Sequence, residues 1–107
     1  MKNNITEKRQ FLINRLGYLR NRANLSAREL SGRIDKSFAY FAKFENGDFN
    51  IPSENLLEAI ECCGSTAEEF FWEDITKFSE EKEILNLYNE LSNESKQTIK
   101  ELLKNMK

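Results

Sequence analysis

The 107-residue chain contains no histidine. It also lacks a glycine-rich phosphate loop and any carboxylate or cysteine constellation with catalytic spacing, so it reads as a binder rather than an enzyme, with no cofactor expected. Its two cysteines, Cys62 and Cys63, are sequence neighbours. On a helix they project in different directions, which makes a poor disulfide and suits a reducing compartment. With no histidine and no second cysteine pair beside them, they read as small core residues and no metal is expected. The chemistry that remains is electrostatic. Residues 1–47 hold ten Lys or Arg against four Asp or Glu, residues 48–107 hold six against fourteen, and the net charge of −2 conceals this split. A basic half suits nucleic-acid phosphates and an acidic half suits a separate assembly surface; the bland alternative is that both are solvated helix faces.

Four of those ten basic residues, Arg28, Arg33, Lys36 and Lys43, lie in a stretch that must position them, Asn24 to Gly47, NLSARELSGRIDKSFAYFAKFENG. Ser26 and Glu29 have the S-x-x-E spacing of a capping box, so a helix starts at Ser26. Leu30 and Ile34 lie four apart on its inner face, and Asp35-Lys36 interrupts the pattern. Ser37 is expected to cap a second helix whose Phe41 and Phe44 point inward, and Gly47 is expected to end it. Two short helices joined by a tight turn form the helix-turn-helix unit, whose second helix enters the DNA major groove.

The Leu25-Ser26 opening, Glu29-Leu30, Ser37, Tyr40 and above all Phe44-Glu45-Asn46-Gly47 resemble the Xre/Cro-type helix-turn-helix regulators, which include the phage repressors. The resemblance covers about residues 12 to 71. It implies an all-α, five-helix DNA-binding domain over residues 6–73, acting on double-stranded DNA as a transcriptional regulator. It also implies that bases are read from Phe38, Ala39, Ala42 and Lys43, at the first turn of the second helix and one turn later. Ala27 stands where the family commonly has a phosphate-binding Gln. Arg28, Arg33, Lys36, Ser37 and Asn46, with the N-terminal amides of both helices, remain as backbone contacts. An arginine of the first helix and the glutamate of "ENG" form a partly buried ion pair in that family, and Arg20 and Glu45 match those positions. Phe38, expected to be exposed, has two readings: it contacts thymine methyl groups, or it belongs to a protein-binding surface.

The remaining elements follow from periodicity. A first helix over about Thr6 to Ala23 carries Leu12, Leu16 and Leu19 inward, with Phe11 and Tyr18 beside them. Pro52-Ser53 opens a helix to about Cys63 with Leu56, Leu57, Ala59, Ile60 and Cys63 inward, and Gly64 stops it. Ser65 with Glu68, or Thr66 with Glu69, caps a short helix ending at Phe70-Phe71-Trp72, an aromatic lid on the core. Ser79 is expected to cap a helix to about Leu91, and another runs from about Asn93 to Met106. Together they make a helical hairpin over 79–107, whose stripe of Ile84, Leu87, Tyr88, Leu91, Ile99, Leu102, Leu103 and Met106 needs either the preceding domain or a second copy as partner. The expectation is a homodimer.

The apolar content of 39% and charged content of 32%, with four Gly and one Pro, fit a soluble helix-rich chain of about one domain. No apolar run approaches the ~18 residues of a membrane span, and the start MKNNITEKRQ lacks a signal-peptide core, so the cytoplasm is expected. The competing function is a helix-turn-helix-fold protein-interaction module, antitoxin-like or regulator-binding, with weak or no DNA binding.

Overall fold

The computed structural model describes residues 6–106. The first five residues of the start MKNNITEKRQ, and Lys107 at the end of the expected hairpin, lie outside the described residues. Among the described residues every regular element is helical. These are α1 (Glu7–Arg22), α2 (Ala27–Arg33), α3 (Tyr40–Glu45), α4 (Ser53–Cys62), α5 (Ala67–Phe70), a 3-10 turn (Ile75–Lys77), α6 (Phe78–Asn89) and α7 (Asn93–Asn105). They fall into two compact units that divide between Trp72 and Glu73.

The first unit packs α1 to α5 around one core. Ile13, Leu16 and Leu19 of α1 meet Leu25, Leu30, Ile34, Phe41, Phe44, Leu56, Ala59, Ile60, Cys63 and Phe70, all buried. Two positions differ from the periodic reading. Leu12 is only half-buried and Ile13 takes its place; both flank the Leu16 line, and simultaneous packing of α1 on α3 and α4 selects Ile13. Leu57 is 46% exposed, because it lies 100° around α4 from Leu56 and the core side of that helix is already filled. Phe71 is also mostly outside, stacked on the ring of Phe11 at 6.3 Å, so of the expected aromatic lid Phe70 is buried and Trp72 half-buried.

Local chemistry sets the helix ends. Thr6 caps α1 by accepting from the Arg9 N–H at 3.1 Å. α1, α2 and α4 each finish with a left-handed residue, Asn24 (φ 59), Asp35 (φ 59) and Gly64 (φ 77). In each case the amides that follow fold back onto the last carbonyls.

The start of α3 is fixed differently. Ser31 of α2 is fully buried; its hydroxyl donates to the Ala27 carbonyl at 2.8 Å and accepts from the Phe41 N–H at 3.0 Å. A side chain of the preceding helix thus caps the first turn of the next. Ser31→Ala strands that buried N–H and is expected to cost about 1–3 kcal/mol, read as a shift in the urea unfolding midpoint. A loss of only a few tenths would mean that the amide finds another acceptor.

In the second unit Asp74 caps the 3-10 turn by accepting from the Thr76 N–H (3.2 Å) and hydroxyl (2.7 Å). This turn runs straight into α6 at Phe78, so Ser79 lies inside the first turn and does not cap it. Ser92 caps α7 through the Ser95 N–H at 3.1 Å. Neither α6 nor α7 buries a residue. Tyr88 and Ile99 are half-buried, and Ile84, Leu87, Leu91, Leu102, Leu103 and Met106 are exposed.

Candidate functional site

The α2–α3 region is built from two stops and one start. Ser26 and Glu29 close a reciprocal capping box at 2.8 and 2.9 Å. The Ser26 N–H bond, joined by the Ser26 hydroxyl, holds the Glu29 carboxyl below its usual range. Arg28 follows in the first turn of α2. At the far end Gly47, at φ 85, supplies the left-handed residue that lets its own N–H reach the Phe44 carbonyl (2.9 Å) and the Asp48 N–H reach the Lys43 carbonyl (3.0 Å).

Between these points α3 begins later than its sequence suggests. Ser37 caps nothing with its side chain; its carbonyl instead accepts from the Tyr40 N–H at 3.0 Å, and Ala39 occupies the N-cap position. Phe38 and Ala39 therefore lie in the turn that leads into α3 rather than in its first helical turn. The cause is the Ser31 hydroxyl, which holds the Phe41 amide and so sets where the helix starts. Ala39, Ala42, Lys43 and Asn46 follow at i, i+3, i+4 and i+7 and are all exposed, while Phe41 and Phe44 on the opposite side are buried. At the head of this stripe Phe38 is 61% exposed, and the Arg28 guanidinium lies 3.9 Å from its ring centroid.

The other expected contacts are distributed less tightly. Lys36 is half-buried, with its ammonium 5.8 Å from the Tyr40 ring, and Ser37 is exposed beside it. Arg33 lies on the Glu29 flank of α2, where its charge acts on Glu29 and on Cys63, and is not gathered with the Arg28–Phe38 pair. The helix-start amides are also less open than expected. Those of Ser26, Glu29, Tyr40 and Phe41 are already bonded within the unit.

Much of the positive charge of the first half goes into holding the domain together. Arg9 donates to the Gly47 carbonyl at 2.7 Å, and Arg15 to the carbonyls of Phe70 and Trp72 at 2.6 and 2.8 Å. Arg20 makes a two-pronged bond to Glu45 at 2.8 and 3.1 Å, with a third bond to the Leu25 carbonyl at 2.8 Å. The pair is 15% and 24% exposed and ties α1 to the end of α3. Arg22 makes the same two-pronged bond to Glu69 at 2.8 and 2.9 Å. Of the basic residues counted toward a DNA-facing half, those on the exposed α2–α3 surface are Arg28, Arg33 and Lys43, with Lys36 half-exposed.

Sequence reading missed Ser31 and the Arg22–Glu69 pair. Thr66-x-x-Glu69 signalled a capping box, and Thr66 does accept from the Glu69 N–H at 3.1 Å. The Glu69 carboxylate, however, turns to Arg22 and accepts from the Ser65 hydroxyl at 2.5 Å. The Arg22 bond holds Glu69 below its usual range despite burial. Burial pushes the Cys63 thiol up to about 11; Cys62 is half-buried, and both thiols are free.

Among the described residues no group of three or more His, Cys, Asp or Glu could hold a metal ion, and no helix is long and apolar enough to cross a membrane. No family model, curated protein or solved structure matches the chain.

Proposed function

We propose that this chain is a sequence-specific DNA-binding transcriptional regulator of the Xre/Cro helix-turn-helix type. In this reading it is not an enzyme, acts in the cytoplasm, and binds double-stranded DNA as a homodimer through a helical hairpin made of α6 and α7. The observation that carries the reading is the outward stripe of α3. Ala39, Ala42, Lys43 and Asn46 stand exposed on a helix held rigidly at both ends, with Arg28 beside them. A major groove admits one helix, and small side chains let its backbone approach the base edges. Arg28, Arg33 and Lys36 would meet phosphates, and Lys43 a base edge or a phosphate.

Phe38 supports a second reading, in which the same surface binds a protein and DNA only weakly. Titrating affinity for generic duplex DNA against salt separates the two. With four basic contacts per protomer, log K is expected to fall with log salt at a slope of about −3 to −4 per protomer, through counterion release. A flat response would remove the DNA reading.

A further inference from the structure

We propose that the face formed by Phe38, Ala39 and Ala42 recognises DNA by the 5-methyl groups of thymine rather than by the hydrogen-bonding edges of the bases. The inference rests on the DNA-binding reading above and names what that site selects. Three observations carry it.

First, the leading half of the exposed stripe is entirely apolar. Phe38 and Ala39 in the turn and Ala42 one turn on bear no donor or acceptor in their side chains, while Lys43 and Asn46 lie toward the C-terminal end of α3. Of the four bases in the major groove, thymine alone presents an apolar group, and it is the one feature such side chains can distinguish.

Second, the Phe38 ring is exposed and has a cation on one side. It is 61% open to solvent, with the Arg28 guanidinium 3.9 Å from its centroid. Arg28 stands in the first turn of α2, beside the closed capping box of Ser26 and Glu29. The rest of the ring surface is open to an apolar contact.

Third, the surroundings are cationic. Arg28 and Lys43 border the apolar strip, while the neighbouring carboxylate of Glu45 is turned inward to Arg20. A narrow apolar strip rimmed by cations complements a methyl-lined groove between phosphate backbones. A protein partner would be better served by a broader apolar patch.

The test uses the full chain. The tightest duplex is selected from a random pool and resynthesised with deoxyuridine at every thymidine, which removes only the 5-methyl groups. Affinity is expected to fall about fourfold for each contacted methyl. In Phe38→Ala the ratio between the two duplexes should shrink, while the unfolding midpoint stays close to that of the parent protein. Equal affinity of the parent protein for both duplexes overturns methyl recognition and leaves the DNA-binding reading standing. A ratio unchanged in Phe38→Ala overturns the assignment to this face. Absence of any salt-dependent duplex binding overturns both proposals and turns the Phe38 surface toward a protein partner.

Discussion

Replacing Arg22 by alanine is expected to lower the unfolding free energy at neutral pH by about 3 kcal/mol, because it strands a carboxylate inside the domain. Glu69 is 7% exposed and accepts both guanidinium bonds of Arg22, which leaves only the Ser65 hydroxyl once they are gone. The direction of the change matters. Arg22 is 39% exposed and can rehydrate if Glu69 is lost, whereas Glu69 has no such escape. In the intact protein the carboxyl is held below its ordinary value of 4.5, so the pair contributes stability above that pH and loses it as the pH falls through the lowered value. Without Arg22, burial outweighs the remaining Ser65 bond and raises the carboxyl, so acid relieves the variant while it weakens the parent. Urea unfolding at about pH 7 and about pH 4 should therefore show a deficit that narrows on acidification. A deficit under about 1 kcal/mol at neutral pH, or one equal at both pH values, would mean that the pair is effectively hydrated. Glu45→Ala, which leaves Arg20 with the Leu25 carbonyl, should cost about 2–3 kcal/mol at neutral pH by the same argument and loosen the end of α3.

Introducing glutamate at both Leu87 and Leu103 is expected to turn the protein into a folded monomer whose affinity for its operator is lower by about a hundredfold or more. The second unit, residues 73–107, has α6 and α7 with no buried side chain, and a chain segment shorter than about 40 residues rarely holds a fold without help from a metal, a disulfide or a partner. The proposed partner is a second copy, and the charges suit it. α6 carries Glu80, Glu81 and Glu83 against Lys82, and α7 carries Lys96, Lys100 and Lys104 against Glu94 and Glu101. A two-fold contact that sets α6 of one protomer on α7 of its partner joins an acidic helix to a basic one twice over. A dimer engages two half-sites about one DNA turn apart, so its loss removes avidity while leaving the contacts within each half-site intact. Sedimentation should show the parent chain as a dimer and the variant as a monomer, with any loss of helix no larger than α6 and α7 account for. A parent chain that sediments as a monomer well above micromolar concentration removes the dimer from the proposal.

Whatever acts over one or two helical turns was already readable in the order of the residues. The Ser26–Glu29 box, the stops at Gly47 and Gly64, the all-helical class and the inward Leu16, Leu19, Leu30, Ile34, Phe41 and Phe44 were legible because caps work within about three residues and helical periodicity repeats within four. The apolar spacing along α6 and α7 was read in the same way, and its residues are half-buried or exposed. Which of several locally equivalent residues is used depends on packing between helices. Leu12 and Ile13 both fit a stripe on α1, and packing against two helices at once chose Ile13. Ser37 and Ser31 are both hydroxyls near the start of α3, and Ser31, ten residues before Phe41, holds the amide because α2 packs against α3. Glu69 could have turned back to its own helix start, yet Arg22 lies 47 residues away in sequence and beside it in space. The arginines of α1 carry the same charge as Arg28 and Lys43, but they point at the carbonyls and carboxylates of distant helix ends. An opposite charge or an open carbonyl at that range exists only after the chain has folded, so local spacing holds no record of it.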